Sequence, residues 1–112
     1  MEFFYRTFFS KDLLEKKARL IRDLKHNRFK YGIYLITLAK GEQNHLEFFS
    51  SFMLKQKIMQ PEEQFVVGIA SGYGAAVELV ESIVDEVYQR TGNTDVRSYI
   101  LEEQKAYKEG KR

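Results

Sequence analysis

The sequence contains no cysteine and no tryptophan, one proline and two histidines. The absence of cysteine excludes zinc ribbons, thiol nucleophiles, iron–sulfur clusters and disulfide scaffolds. No apolar run approaches the ~18 residues that a membrane-spanning helix requires. The start, MEFFYRTFFSKD, has an acid at Glu2 and lacks the small-residue cleavage site of a secretory signal. We therefore expect a cytoplasmic protein that does not enter a membrane and that holds no metal or other cofactor.

Hydrophobic periodicity predicts one α/β domain of the α+β type over residues 1–112, with residues 108–112 as a frayed tail. One mixed sheet of about four strands carries helices packed against it, in the order β-α-β-β-α-β-α-α. The predicted strands are Glu2–Phe9, Tyr31–Ala39, His45–Ser51 and Gln64–Ala70; the predicted helices are Lys11–His26, Phe52–Gln60, Gly72–Thr91 and a last helix ending near Tyr107. We also predict a turn over Lys40–Asn44, N-caps at Ser10 and at Asn93 or Thr94, and a C-terminal cap at Gly92.

Aromatic residues are abundant, with nine Phe and seven Tyr among 112 residues. The first strand is apolar on both faces, with Phe3, Tyr5 and Phe9 predicted on one side and Phe4 and Phe8 on the other. A surplus of apolar surface usually becomes an interface, and a symmetric dimer is the commonest way to close one. We therefore predict a homodimer or another protein partner held through these five residues.

The charge is unevenly distributed along the chain. Residues 1–60 contain twelve Lys and Arg against six Asp and Glu, a balance of +6, and the remainder therefore carries −4 of the net +2. The basic stretch KKARLIRDLKHNRFKYG offers candidate phosphate contacts at Lys16, Arg19, Arg22, Arg28 and Lys30. A helix face of mixed charge is more often simply solvated. Nucleic acid is therefore an alternative partner.

The stretch QFVVGIASGYGAAVELV has a strand, a glycine turn and a helix, an order found at many nucleotide sites. Its spacing is G-x-x-x-G-x-G, which fits neither the dinucleotide nor the phosphate-loop motif, and no Lys or Arg lies between Lys57 and Arg90. We interpret Gly72 and Gly74 as a structural turn with close helix–strand packing. The alternative is a small-ligand site between Gly68 and Gly74, lined by Ser71, Gly72 and Tyr73.

Candidate catalytic residues are few. His45 and Glu47 share one face of a predicted strand, and two side chains do not make a metal or acid–base site without further ligands. Ser50 and Ser51 lack the G-x-S-x-G elbow of a nucleophilic serine. The sequence therefore predicts no catalytic residue and no metal site.

The segment FVVGIASGYGAAVELVESIVDEVYQRTGNTDVRSYI, preceded by YLITLA, resembles a group of short uncharacterised proteins of Firmicutes-type bacteria, some of them from conjugative or integrated elements. The resemblance covers most of the chain from Tyr31 to Ile100 and has no diagnostic motif. It implies a bacterial cytoplasmic accessory protein and carries no activity, cofactor or catalytic residue to positions here. The favoured hypothesis is a small non-catalytic structural or protein-interaction module that self-associates.

Overall fold

The structure is a computed structural model that describes residues 1–39 and 45–111. Its element order confirms the predicted one. A 3-10 turn, Lys11–Lys16, takes the first part of the helix predicted over Lys11–His26, the helix predicted over Phe52–Gln60 ends at Lys55, and a second 3-10 turn spans Pro61–Glu63. The strands are β1 (Glu2–Phe9), β2 (Ile33–Leu38), β3 (Leu46–Ser50) and β4 (Phe65–Ser71), and the helices are α1 (Lys17–Lys25), α2 (Phe52–Lys55), α3 (Tyr73–Thr91) and α4 (Val96–Lys108).

The four strands form one mixed sheet in the order β1-β4-β2-β3. β1 runs parallel to β4, whereas β2 runs antiparallel to both β4 and β3. The predicted mixed α+β sheet is therefore confirmed, and its two edge strands are β1 and β3. The turn predicted over Lys40–Asn44 lies outside the described residues.

One face of the sheet is covered by α3, which crosses β4 and β2, and by α4, which lies over β1. Ile83 and Val87 of the predicted α3 stripe are fully buried, but Val77, Val80 and Val84 are only partly buried. The helix is rotated relative to the predicted orientation, so Ala76 and Leu79 face the sheet instead. The buried core on this face consists of Phe4, Ile36, Val67, Ala70, Ala76, Leu79, Ile83, Val87, Val96, Tyr99 and Ile100.

The other face is covered by the first 3-10 turn, α1 and α2. Their apolar side chains pack on the alternate residues of the strands, as the two-residue period of a strand requires. Leu35 of β2 and Phe49 of β3 therefore point to this side, while Ile36 points to the other. The second buried core consists of Leu13, Leu20, Leu24, Leu35, Phe49, Leu54, Val66 and Ile69.

Close packing between α3 and the sheet depends on Gly68 of β4. A Cβ atom at this position would lie 3.1 Å from Leu79 Cδ2 and 3.2 Å from Ile36 Cδ1. Gly72 has φ of +99°, which favours glycine, whereas a Cβ on Gly74 would meet nothing within 4 Å. The close packing predicted for the turn therefore belongs to Gly68 in the strand and not to Gly74.

The helix ends differ from the predictions in several details. Ser10 stands at an N-cap position but its hydroxyl donates to Asp12 rather than accepting from the helix. The last helix is capped by Asp95, which accepts from the Ser98 N–H, and not by Asn93 or Thr94. Gly92 is confirmed as the C-terminal cap of α3, with φ of +80° and its N–H donating to Tyr88.

Candidate interaction surface

The edge at β1 is closed by the chain itself. Gln104 of α4 is buried, and its side-chain amide accepts from the Tyr5 N–H at 2.7 Å and donates to the Phe3 carbonyl at 3.1 Å. The Glu2 N–H donates to the carbonyl of Gln64, the residue before β4, so the alternation along a strand turns the peptide groups of Phe3 and Tyr5 outward. The amide of Gln104 therefore takes the positions that a further strand would occupy.

An irregular register shapes the same edge. Phe3 pairs with Val66 and Phe8 with Gly68, so five residue steps along β1 match two along β4. The extra residues bulge, and Tyr5 joins Phe4 and Phe8 on the α3 and α4 side instead of the side predicted for it. There the Tyr5 ring stacks on Tyr107, with centroids 4.5 Å apart.

The five aromatic residues predicted to meet a partner are built into the two cores. Phe4 is 1% exposed, and Tyr5 and Phe8 pack partly buried against the core under α3 and α4. Phe3 and Phe9 pack against the other core. Phe4 therefore has no surface to offer a partner, and the outward peptide groups of Phe3 and Tyr5 are already bonded to Gln104.

The edge at β3 is open. Ser51 donates to Ile33 and Ala39 donates to His45, which fixes the ladder so that His45, Glu47, Phe49 and Ser51 bond toward β2. The N–H and C=O groups of the alternate residues Leu46, Phe48 and Ser50 must then point away from the sheet. Within residues 1–39 and 45–111, no backbone group bonds to this outer edge.

An aromatic cluster lies beside the open edge, on the face that carries α3. The Phe48 ring is 5.4 Å from Tyr73 and 6.5 Å from Tyr34, and the Tyr34 and Tyr73 rings are 6.3 Å apart. Phe48 and Tyr34 are partly buried, and Tyr73 is 64% exposed. We call the outer edge of β3 together with Tyr34, Phe48 and Tyr73 the β3 surface.

Sequence reasoning did not single out Phe48 or Tyr34, although it placed both in strands. A signal was present: HLEFFSS is predicted to be the antiparallel partner in a hairpin, and its alternation separates Leu46 and Phe48 from Glu47 and Phe49. Which strand forms an edge depends on the strand order, and no local pattern encodes that order. Tyr73 was named only as part of a ligand turn.

Two of the five basic residues predicted to contact nucleic acid are in ion pairs within the chain. Arg28 and Lys30 lie 3.6 Å and 3.2 Å from the carboxylate of Asp23, which is itself buried. The hydrogen bond from Lys30, with the nearby charges of Arg28 and Arg22, holds the pKa of Asp23 below its ordinary value. Lys16, Arg19 and Arg22 remain exposed.

Lys17 and Lys25 of the same basic stretch also stabilise the fold. The ammonium groups of Lys17 and Lys25 lie 5.6 Å and 5.8 Å from the ring centroids of Phe9 and Phe3. Their stems cover aromatic residues of β1 from outside, which is how an amphipathic side chain shields apolar surface while its charge stays in water. All five residues predicted to contact nucleic acid are therefore exposed, but Arg28 and Lys30 are in ion pairs with Asp23.

The glycine turn carries an acid where a phosphate would sit. The Ser71 hydroxyl donates to Asp12, and the Ser71 N–H donates to Ser10. Hydrogen bonds from Ser71 and Ser10 lower the pKa of Asp12, so this carboxylate stays charged beside the start of α3. A negative charge at that position repels an anionic ligand. Gly72 forms the turn, and Tyr73 belongs to the aromatic cluster.

His45 and Glu47 are brought together, with 3.8 Å between the His45 Nε2 and Glu47 Oε1 atoms, and both are largely exposed. Among the residues that the structure describes, no three acidic or histidine side chains are grouped so that they could hold a metal ion. Over the same ranges, no helix has the length and apolar character needed to cross a membrane.

No family model, curated protein or solved structure matches the chain in comparisons with known proteins. The function is therefore inferred from the contacts and surfaces described above.

Proposed function

We propose that the protein is a small non-catalytic structural or protein-interaction module of the bacterial cytoplasm, and that it self-associates. The observation that carries the proposal is the β3 surface, where an unpaired strand edge adjoins an aromatic cluster. Open strand edges are templates for pairing with another chain, and proteins that do not use them protect them. The described residues protect the β1 edge at Phe3 and Tyr5 and place no backbone partner on the β3 edge.

Two sets of ionic contacts support the same proposal, because they hold α3 and α4 against β1. Arg6 of β1 bonds to Glu86 of α3 at 3.1 Å and to the Tyr99 hydroxyl of α4 at 3.1 Å. Lys108 at the end of α4 lies 2.6 Å from Glu2. These pairs fasten the helices to β1 and leave the β3 side as the surface for a partner.

The test is the mass in solution by light scattering after size-exclusion chromatography, at low and high salt. We expect a species of twice the 13.2 kDa chain mass that persists in high salt, because an apolar, backbone-paired contact does not depend on exposed charges. Phe48→Lys should return the mass to that of a monomer, since an inward-pointing charge on an edge strand blocks pairing.

The matched control is Tyr107→Lys, which changes a 50% exposed aromatic residue at the opposite edge and should leave the mass unchanged. A wild-type chain that is monomeric at every concentration and salt would overturn the proposal. A mass that Tyr107→Lys lowers as strongly as Phe48→Lys would remove the role assigned to β3.

A nucleic-acid-associated role is the second candidate, because Arg19 and Arg22 are exposed and lie one turn apart on α1. Phosphate contacts release counterions, so binding would weaken steeply with salt. Fluorescence anisotropy of labelled single-stranded and duplex DNA should then show binding at low salt that Arg19→Glu with Arg22→Glu abolishes. Equal anisotropy with and without the protein at low salt would contradict this role and leave self-association untouched.

A further inference from the structure

We infer that β3 pairs with β3 of a second copy of the chain, antiparallel and centred on Phe48, so that two four-stranded sheets join across a two-fold axis. The inference rests on the proposed self-association and gives it a surface and a register. It follows from the direction of the peptide groups along β3, from the charge of Glu47 and from the closure of the opposite edge.

Hydrogen bonding selects the register. The outward peptide groups belong to Leu46, Phe48 and Ser50, and in an antiparallel pair such residues must stand opposite one another. Centring on Phe48 places it opposite Phe48 of the second copy, and places each Leu46 opposite a Ser50. Every outward N–H and C=O group of the strand then has a partner.

The two neighbouring registers would give a less stable strand pair. Centring on Glu47 sets the two Glu47 side chains directly opposite each other at the closer, non-hydrogen-bonded spacing, where like charges destabilise the pair. Centring on Phe49 pairs only Phe48 and Ser50 and leaves the Leu46 groups at the ends without a strand partner. In the register centred on Phe48, each Glu47 faces a Phe49 of the second copy.

The occupant is a second copy because the outward groups of β3 can pair with those of an identical strand, and within residues 1–39 and 45–111 no backbone group bonds to them. A head-to-tail contact would need β1 to receive β3, but β1 is bulged after Phe3 and the outward groups of Phe3 and Tyr5 are already bonded to Gln104. A contact of β3 with itself is isologous and closes after two copies. The chain therefore forms a dimer and not a fibre.

Side chains on the α3 face reinforce the pairing. Leu46, Phe48 and Ser50 alternate onto that face, and the aromatic cluster lies there with the exposed ring of Tyr73. Cross-strand aromatic pairs stabilise antiparallel strands relative to alanine pairs. The two Phe48 rings would meet at the axis, where each covers apolar surface of the other copy.

The contact is short, because β3 has five residues and such a strand extends only about 17 Å. Stable interfaces bury roughly 800 Å² on each partner, so a contact built on one short strand should be reversible. We expect the apparent mass to rise with protein concentration between the monomer and dimer values.

The experiment uses cysteine cross-linking, which is clean because the chain contains no cysteine. Single variants Phe48→Cys, Leu46→Cys and Tyr107→Cys are oxidised with a glutathione redox pair at a concentration where the wild-type chain is dimeric. Hydrogen-bonded antiparallel pairs have Cα atoms ~5.5 Å apart, within the 4.4–6.8 Å of a disulfide. The two Leu46 positions would be displaced by four residues along the strand, about 13 Å, which is too far to bridge.

We expect rapid disulfide dimer formation by Phe48→Cys, and slow formation by Leu46→Cys and by Tyr107→Cys at the opposite edge. The double variant Leu46→Cys with Ser50→Cys retains Phe48 and should cross-link as rapidly. If the wild-type mass is that of a dimer but Phe48→Cys and the double variant react no faster than Tyr107→Cys, the β3 pairing is wrong and self-association stands. A monomeric wild-type chain would overturn both.

Discussion

The two edges of the sheet have similar sequences, EFFYRTFF in β1 and LEFFS in β3, but they meet the solvent differently. β1 is bulged, is covered by α4, and has the outward groups of Phe3 and Tyr5 bonded to Gln104. β3 is regular along its pairing with β2, and in the part of the chain that the structure describes no backbone group bonds to its outer edge. An aromatic strand is therefore not in itself an interface, because the neighbouring helix decides whether the strand can accept a partner.

The largest difference between the edges should appear in the stability of two phenylalanine variants. Phe4→Ala should lower the free energy of unfolding by roughly 3–5 kcal/mol, because a fully buried ring is replaced by a cavity. Phe48→Ala should cost clearly less at concentrations where the chain is monomeric, because its ring is only partly buried in one chain. Urea denaturation of both variants in dilute solution measures the two losses.

Equal losses for Phe4→Ala and Phe48→Ala in dilute solution would contradict the distinction between a core residue and a surface residue. A loss for Phe48→Ala that grows with protein concentration would strengthen it, because the wild-type chain would then gain stability from association.

Sequence reasoning found the elements and their order but not the edges. The periodicity of α3 and the turn at Gly92 depend on residues close together in the sequence, so both could be predicted from it. The rotation of α3 that buries Ala76 and exposes part of Val77 depends on the sheet beneath it. The move of Tyr5 to the other face depends on a bulge whose peptide groups are bonded by Gln104, 99 residues away along the chain.

The interaction surface was harder to predict for the same reason. Phe48 becomes an edge residue only because β4 inserts between β1 and β2 and leaves β3 outermost. Tyr73 and Tyr34 come together with it across two strands and a helix start. The sequence did indicate more aromatic surface than a small core would bury. We now propose that the interface lies at the β3 edge and not at Phe3, Phe4, Tyr5, Phe8 and Phe9.

A smaller effect should follow from removing the closure of the β1 edge. Gln104→Leu would leave the Tyr5 N–H and the Phe3 carbonyl without the amide that bonds to them, and such a loss typically costs about 1–3 kcal/mol. Urea denaturation measures it, with Glu102→Leu as the matched control on the exposed side of α4. A Gln104→Leu variant as stable as Glu102→Leu would show that Gln104 does not secure this edge.

The smallest expected effect is the pH dependence of stability at the Glu2–Lys108 ion pair. The hydrogen bond from Lys108 lowers the pKa of Glu2 from its ordinary value of 4.5. A carboxyl with a lowered folded-state pKa stabilises the fold above its ordinary value, and this contribution is lost as pH falls through the folded-state pKa. Since the pair is exposed, the contribution should be about 0.5 kcal/mol or less. Glu2→Gln should therefore be slightly less stable than the wild type at pH 7 and should match it in acid, once the pH is below the folded-state pKa of Glu2.

Denaturation of Glu2→Gln and the wild type at both pH values checks this expectation. A difference between the two that is larger in acid than at neutral pH would contradict the assigned contact. In either case the β3 edge should be unaffected, because this pair lies at the opposite side of the sheet.

The most direct measurement is amide hydrogen exchange by NMR at low and high protein concentration, with Tyr5 and Phe48 compared in the same sample. We predict that the Tyr5 N–H is protected at every concentration, because Gln104 bonds to it within the chain. The Phe48 N–H should exchange rapidly in dilute solution and slow as the mass rises toward that of a dimer. A Phe48 N–H that exchanges equally fast in the monomer and in the dimer would contradict the account.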